Sequence, residues 1–327
     1  MPNKLKDPVR HQFTKKHYNK RDWATYNKSL VKRGSITIWF TEDALKQWHE
    51  PHETQRKRGA QRMFSDYAME ACHTMRLMYK RPLRQTEGFV NSLLTLMGSK
   101  LKSPDYTTLS RRLQKLKINQ KPIDSGEDVV IIFDSTGLKV TGEKEWMNAK
   151  HGTKQRKIWR KLSIAINQNG DIVSHTLSEH TFSDPASIGP LLDQIKTPVR
   201  KVLGDGGYDS PQVYTRIDEH NKKHGFKGGT EIIIPPNTGF APIRDADHQS
   251  RKNNQEMIND IGREGWQKKT GYGMRSNVEA AFARFKKVIG NKINSQNIEA
   301  QINEIGIAIL ALNKMNSISA RKAQKSC

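Results

Sequence analysis

Three acidic residues, far apart in the sequence, stand where a fold could hold their side chains still. Asp134 directly follows the apolar run 129–133, which is typical of a central buried strand. Asp205 follows a second short strand-like segment and has glycine on both sides. Glu279 lies in a segment with helical periodicity. Carboxylate oxygens are the ligands that Mg²⁺ prefers, and two such ions together can promote phosphodiester cleavage.

Each of these acids also has a purely structural interpretation. Asp134 precedes Ser135-Thr136-Gly137 and could cap a turn or a helix. Asp205 could belong to a simple turn, and Asp209, four residues further on, is a possible substitute ligand. Taken one at a time, the two aspartates do not decide between a metal site and a structural role.

The segment around Glu279 predicts a helix with one polar ridge. Tyr272, Arg275, Glu279 and Lys286 fall within an arc of roughly 60° on a helical projection. An apolar stripe adjoins this ridge, formed by Val278, Ala281, Phe282, Phe285, Val288 and Ile289. The structural alternative is an ordinary amphipathic helix with an Arg275–Glu279 pair one turn apart.

The charge of the chain favours a polyanionic partner. Its 327 residues include 56 Lys+Arg and 33 Asp+Glu, a net charge of +23, and residues 1–120 carry 25 basic against 10 acidic residues. Nucleic acid is the best interpretation, because no lipid-seeking segment accompanies the charge and the longest apolar run is too short to span a membrane. Two cysteines exclude a disulfide framework and a cysteine-based zinc site. We therefore expect a reducing, aqueous compartment.

Two N-terminal regions are predicted to contact DNA. Residues 1–63 form a basic arm with a small element at its end, where the sequence 35–40 alternates like a strand, and residues 64–120 form a helical domain. Ser103-Pro104 is the predicted start of a basic helix, in an arrangement that suggests a helix-turn-helix. A solvated tail and plain helical packing are the alternatives. The candidate DNA contacts are Lys32, Arg33, Arg111, Arg112 and Lys115.

Residues 121–327 are predicted to form one mixed α/β domain. Residues 121–127 resemble a linker, and the elements then follow in the order strand, hairpin, helix, strand, helix, strand and C-terminal helices. This is the element order of an RNase H-like domain. The fold class expected for the chain is therefore α/β, with an RNase H-like mixed-sheet catalytic domain behind a mainly helical N-terminal DNA-binding domain.

The motifs together resemble the DDE transposases of bacterial insertion sequences. The spacing Tyr272-x2-Arg275-x3-Glu279-x6-Lys286 matches a signature of the large superfamily that includes insertion-sequence family five. Asp134-Ser-Thr and Gly-Asp205-Gly-Gly-Tyr-Asp resemble the two aspartate motifs of that family. The segments 23–35 and 104–112 are similar to the N-terminal region of its 903-like group. The resemblance covers nearly the whole chain.

The resemblance implies roles for these residues. Asp134, Asp205 and Glu279 would hold two Mg²⁺ or Mn²⁺ ions, and Lys286 and Arg275 would grip phosphates with support from Tyr272. Water would first cut at the element's ends, and the freed 3′-hydroxyl would then attack target DNA. The implied partners are double-stranded DNA, through the terminal inverted repeats and the target, and a second copy of the chain. The implied location is the bacterial cytoplasm, close to the nucleoid.

Three other classes of protein compete with this interpretation. An RNase H-like nuclease or resolvase would cut DNA without joining it. A DNA-binding regulator derived from a transposase would have lost at least one of the three acids, and all three are present. An RNA-binding protein would be expected to carry an aromatic-rich strand motif or a Gly-x-x-Gly loop, which the sequence lacks.

Overall fold

Helices fill the N-terminal part of the described chain, and a mixed sheet organises the rest. The computed structural model describes residues 23–50, 62–118, 129–141, 159–226, 228–237 and 249–318. The predicted linker 121–127 and most of the predicted basic arm lie outside these residues. No helix within them is both long enough and apolar enough to cross a membrane.

Five helices precede the sheet. They are α1 (Trp23–Arg33), α2 (Glu42–Lys46), α3 (Asp66–Met78), α4 (Leu83–Leu96) and α5 (Tyr106–Leu113). Large side chains from α3, α4 and α5 meet in a shared apolar core, with Met69, Leu94 and Leu109 fully buried. Such burial is what stabilises these helices, since α5 has only eight residues and would be marginal alone.

Two local predictions in this region are wrong. The alternating segment 35–40 contains a 3₁₀ turn, Ile36–Ile38, and its last three residues are all buried, so alternation there does not mark a strand with one solvated face. Helix α5 begins two residues later than predicted, because Asp105 and not Ser103 is its N-cap. The Asp105 carboxylate accepts the backbone N–H groups of Thr107 and Thr108 at 2.9 and 3.0 Å.

The sheet has six strands and both strand directions. They are β1 (Val130–Val140), β2 (Trp159–Asn167), β3 (Ile172–Glu179), β4 (Lys201–Leu203), β5 (Glu231–Ile233) and β6 (Lys292–Ile293). The order is β3-β2-β1-β4-β5, with the first three strands antiparallel and β4 and β5 parallel to β1. This mixed α/β arrangement is consistent with the predicted RNase H-like fold.

Strand β1 does not end before Asp134, as the apolar run suggested, but continues to Val140. On one edge it pairs with β2 as far as Lys139↔Trp159. On the other edge it pairs with β4 only up to Ile132↔Leu203 and with β6 only from Lys139↔Lys292. The edge of β1 between these two short partners is therefore open, and Asp134 lies at the start of this opening.

Among the described residues, five helices cover the two faces of the sheet. They are α6 (Asp184–Leu192), α7 (Pro211–Lys223), α8 (Gln249–Thr270), α9 (Ser276–Val288) and α10 (Ile298–Ser317). Ile131 and Phe133 of β1 belong to a core with residues of α6 and α7. Ile132 and Leu138 belong to the other core, which includes residues of α9 and α10. Alternation along β1 thus assigns Asp134 to the α9 face and Ser135 to the α6 face.

Helix α8 was not predicted from the sequence. Its 22 residues are mostly polar and include a break at Gly262, where φ is +72°. Trp266, Met257 and Ile258 pack into or against the larger core. The buried Trp266 indole also donates to Asn254, whose amide donates to the carbonyl oxygen of Ile232 in β5. The helix therefore lies along the outermost parallel strand, held in part by hydrogen bonds that hydrophobic periodicity does not reveal.

The N-terminal helices and the sheet share one hydrophobic core. Residues of α3, α4 and α5 lie in the same buried cluster as Ile132, Phe282 and Leu312. Asn303 of α10 donates to the carbonyl oxygen of Leu113 at 2.7 Å, and Arg76 of α3 lies 3.9 Å from the buried Glu304 carboxylate. Helix α10 thus connects the helical region to the sheet.

We predict that the buried His73 makes the protein less stable in acid. Burial lowers the pKa of His73 to about 3, so the folded state holds the neutral ring. The unfolded chain takes up a proton on His73 below its pKa of about 6.5, whereas the folded chain does not. The contribution of His73 to stability is therefore present above pH 6.5 and is lost as the pH falls below that value. The free energy of unfolding should fall between pH 6.5 and 5 by up to about 1.4 kcal/mol per pH unit from this group alone.

His73→Gln should flatten that dependence, and urea unfolding at several pH values would measure it. The matched control is His180→Gln, because His180 is exposed and should leave the slope unchanged. An equal pH dependence in the parent chain and in His73→Gln would contradict the account.

Candidate active site

Asp134 lies at the open edge of β1, and a hydrogen bond fixes one of its carboxylate oxygens. The backbone N–H of Ser135 donates to Asp134 Oδ1 at 2.8 Å. Its other oxygen, Oδ2, faces Arg275. The strand therefore holds the carboxylate in one orientation and leaves one oxygen for a cation.

Asp205 follows β4 and repeats this arrangement. It is the N-cap of a 3₁₀ turn, Gly206–Tyr208, and its Oδ1 accepts the backbone N–H of Gly207 at 2.9 Å. A Cβ on residue 207 would lie only 3.0 Å from that oxygen, so a side chain there would press on the carboxylate and shift it by a few tenths of an ångström. Asp205 Oδ2 is again the oxygen that faces Arg275.

Glu279 lies in the first turn of α9. The prediction of a single helix through all four signature residues is wrong at its start. Tyr272 and Arg275 form a 3₁₀ turn that follows Gly271, whose φ of +71° suits glycine. Helix α9 begins at Ser276, and Tyr272 stacks on Trp266 with ring centroids 4.9 Å apart. The turn lets Arg275 reach back over the sheet edge toward both aspartates.

One guanidinium group joins all three predicted acids. Arg275 Nη1 donates to Glu279 Oε1 at 2.7 Å. Arg275 Nη2 lies 3.6 Å from Asp134 Oδ2 and 3.7 Å from Asp205 Oδ2. More than seventy residues separate each of these acids from the next in the sequence. Their carboxylates nevertheless converge on a single cationic group.

The electrostatics of this cluster reflect partial burial. Burial raises the pKa of Asp134, with smaller upward contributions from Asp205 and Asp184, while the Ser135 N–H and Arg275 oppose the rise. For Arg275 the effect of burial is downward, but Tyr272 and the three carboxylates outweigh it and raise the pKa. The ionised form of Asp134 therefore needs a positive partner, and Arg275 supplies one.

The donor set suits a hard divalent cation. Asp134, Asp205 and Glu279 present oxygen ligands only, as Mg²⁺ and Mn²⁺ prefer. The Arg275 guanidinium lies between the three carboxylates and keeps them apart. No three His, Cys, Asp or Glu side chains in the described ranges lie together as a metal-binding group. Binding an ion here would require Arg275 to withdraw from the carboxylates.

Asp209 is not a substitute ligand, because its carboxylate is fully engaged elsewhere. Its side chain is buried and accepts Arg251 Nε at 3.0 and 3.1 Å and the Tyr214 hydroxyl at 3.0 Å. It also accepts the backbone N–H of Asn237 at 2.8 Å. These contacts join the Asp205 turn to α7 and α8, so Asp209 is structural.

The predicted DNA contacts have mixed placements. Lys286 is exposed two turns after Glu279 on α9, which leaves it available to a ligand. Lys32 is exposed and Arg33 half-buried at the end of α1, and Arg111 and Lys115 are exposed on or just after α5. Arg112 does not point outward as predicted: its guanidinium binds Asp66 and the carbonyl oxygen of Phe64, so it ties α5 to the start of α3.

Sequence reasoning missed a fourth carboxylate beside the cluster. Asp184 at the start of α6 accepts the Ser135 hydroxyl at 2.6 Å and lies 2.8 Å from Lys161 Nζ. In the sequence, Asp184-Pro185 indicates only the start of a helix. The one available signal was Lys161, which together with Arg160 places charge in the strand just before its apolar residues.

Two family models match this chain, and a solved structure is similar to it. A family model described as a transposase DDE domain matches residues 125–314, and a second model with the same description matches residues 31–143. A similar solved structure is the "Mos1 transposase paired-end complex with left transposon end", at 12% identity and a TM-score of 0.23 over 73% of this chain and 82% of that chain. The first match covers more than half of the chain and contains all three acids. This chain therefore belongs to the transposase DDE domain family.

Proposed function

We propose that this chain is the DNA transposase of an insertion sequence of family five, 903-like group. It binds the terminal inverted repeats, cuts phosphodiester bonds at the element's ends and joins the 3′-hydroxyl ends to target DNA. Water is the first nucleophile, and the freed 3′-hydroxyl is the second. The observation that supports this most strongly is the convergence of Asp134, Asp205 and Glu279 on Arg275.

Each of the two aspartates has one oxygen that would be available to a divalent ion once Arg275 withdraws. In both aspartates Oδ1 is fixed by a backbone N–H and Oδ2 faces the cluster. Two Mg²⁺ or Mn²⁺ ions bound there would activate the attacking oxygen and stabilise the leaving one. The preformed orientation of the two aspartates reduces the entropy lost when the site is completed.

Arg275 has two partners in this proposal. Without ions it neutralises the acids, and with ions and DNA bound it turns to a phosphate near the cut. A guanidinium suits both tasks, because it binds carboxylate and phosphate with the same planar pair of donors. Tyr272 supports this movement from its stacked position on Trp266.

The net charge of +23 supports DNA as the partner. Exposed basic side chains would contact DNA phosphates. They lie on α1, on or just after α5, and on α9, and include Lys32, Arg111, Lys115 and Lys286. A dimer is expected in the DNA complex, because the two ends of an element must be cut together. The proposed location, beside the bacterial nucleoid, follows from the substrate.

We predict that each acid is required for cutting but not for binding. Asp134→Asn, Asp205→Asn and Glu279→Gln should each reduce cleavage of end-bearing duplexes by at least about a thousandfold, because each loses an ion ligand. Binding of end DNA, measured by gel shift, should stay within a few-fold of the parent. Asp218→Asn, an exposed acid on α7, is the control for charge alone.

The same reaction should include a plasmid target and Mg²⁺, with joined product as the readout. Joined product from the parent chain supports a transposase. Cutting without joining would instead identify a nuclease, and end binding without cutting would identify a regulator. Substantial cleavage by any acid variant would remove that residue from the site.

We predict that Lys286 contributes one phosphate contact. Lys286→Ala should weaken binding to end DNA and reduce the slope of log affinity against log salt by about one. Lys222→Ala is the matched control, because Lys222 is an exposed lysine of α7 on the opposite face of the sheet. An unchanged slope in Lys286→Ala would count against the contact.

We also predict that Arg275 competes with divalent ions. In the absence of DNA, Arg275→Gln should bind Mn²⁺ roughly tenfold more tightly than the parent, because the carboxylates lose their internal cation. Titration calorimetry would measure this. Arg216→Gln, which removes an exposed arginine paired with Glu219, should change nothing. Weaker or equal Mn²⁺ binding by Arg275→Gln would show that the guanidinium does not occupy the ion position.

A further inference from the structure

Strand β1 carries a second polar network on the face opposite the three acids. The Ser135 hydroxyl donates to Asp184 Oδ1 at 2.6 Å, and Lys161 Nζ lies 2.8 Å from the same oxygen. Lys161 also donates to the carbonyl oxygen of Phe182 at 2.8 Å. Lys161 stands opposite Gly137 in the β1–β2 register, two residues beyond Ser135, so both side chains point to the α6 face.

Ser135 connects this network to the candidate active site. Its side chain is bound to Asp184 on one face of the sheet, while its backbone N–H is bound to Asp134 Oδ1 on the other. A rotation of the Ser135 peptide would move the N–H away from Asp134 and release that carboxylate. The hydroxyl bond to Asp184 opposes such a rotation, and it does so at the point where β1 loses its pairing with β4.

Asp184 also lies close to the Asp205 turn. A Cβ placed on residue 207 would be 3.9 Å from Asp184 Oδ2 and 3.0 Å from Asp205 Oδ1, so the two carboxylates face the same glycine. A fourth negative charge at this place would repel the other acids unless it were neutralised. Lys161, which is only 15% exposed, provides that neutralisation and anchors the loop before α6 at the same time.

We infer that Asp184 is a positioning residue of the catalytic centre. Together with Lys161 and Ser135 it fixes the Asp134 carboxylate so that Oδ2 faces the ion position. Asp184 touches neither ion nor DNA in this assignment. The role rests on the proposed function and adds to it a requirement on the opposite face of the sheet.

A purely structural role of Asp184 predicts different effects of the variants on Mn²⁺ binding. If Asp184 only paired with Lys161 to start α6, loss of the Ser135 hydroxyl would not matter for ion binding. If it acts through Ser135, then Ser135→Ala and Asp184→Ala should weaken Mn²⁺ binding to the DNA-free protein by similar factors, roughly 10–100-fold. The double variant should be no weaker than either single variant, because both remove the same restraint.

The conservative variant provides a rescue. Asp184→Asn keeps an oxygen that accepts the Ser135 hydroxyl, so its Mn²⁺ affinity should lie closer to the parent than that of Asp184→Ala. Asp193→Asn, which removes an exposed acid at the other end of α6, is the control and should match the parent. Thermal unfolding midpoints are measured in parallel, and those of Ser135→Ala and Asp184→Asn should stay close to the parent.

The experiment is Mn²⁺ titration of the full chain, followed by single-turnover cleavage of an end-bearing duplex. Parental Mn²⁺ affinity in Asp184→Ala and Ser135→Ala would overturn the positioning role alone. The role would also be overturned if the double variant lost Mn²⁺ affinity by the product of the two single losses. An Asp184→Asn variant that binds Mn²⁺ as weakly as Asp184→Ala would overturn it too. If Asp184→Ala does not fold, an unaltered affinity in Ser135→Ala overturns it. A parent chain that neither binds Mn²⁺ nor cuts would instead overturn the proposed function, and the positioning role with it.

Discussion

The site depends on the cost of bringing three like charges together in a half-buried place. Burial and the neighbouring carboxylates of Asp205 and Asp184 raise the pKa of Asp134, so the ionised form of this aspartate needs a positive group beside it. Arg275 meets this need with contacts to all three carboxylates. The same requirement explains why the site suits divalent ions: whatever replaces the guanidinium must carry at least as much charge.

The sheet supplies the geometry that this charge cluster needs. Strand β1 is long, its parallel neighbour β4 is short, and β6 joins only at the far end, so one edge of β1 is open where Asp134 stands. Asp205 follows β4 into the same opening, and α9 brings Glu279 over it. Both faces of β1 then act on one residue, since Arg275 faces Asp134 from one side and Asp184 restrains Ser135 from the other.

Much of this arrangement could be predicted because it depends on local features of the sequence, namely an apolar strand, glycines and the spacing of polar residues. The apolar run before Asp134 and the glycines around Asp205 located both aspartates, and the signature spacing located Glu279 and Arg275. What failed depended on contacts between distant residues. The Arg112 guanidinium binds Asp66 instead of facing solvent, and Asp105 rather than Ser103 caps α5. Helix α8 combines the buried Trp266 with a hydrogen bond from its indole to Asn254, in a mostly polar sequence. Asp184 was missed because its partners, Ser135 and Lys161, become neighbours only when β1, β2 and α6 assemble.

The most direct test of the central claim is anomalous diffraction from crystals of the protein soaked in Mn²⁺. The account predicts manganese peaks in direct contact with carboxylate oxygens of Asp134, Asp205 and Glu279, with the Arg275 guanidinium displaced from its present position. Manganese bound elsewhere, with Arg275 still joining the three acids, would contradict it.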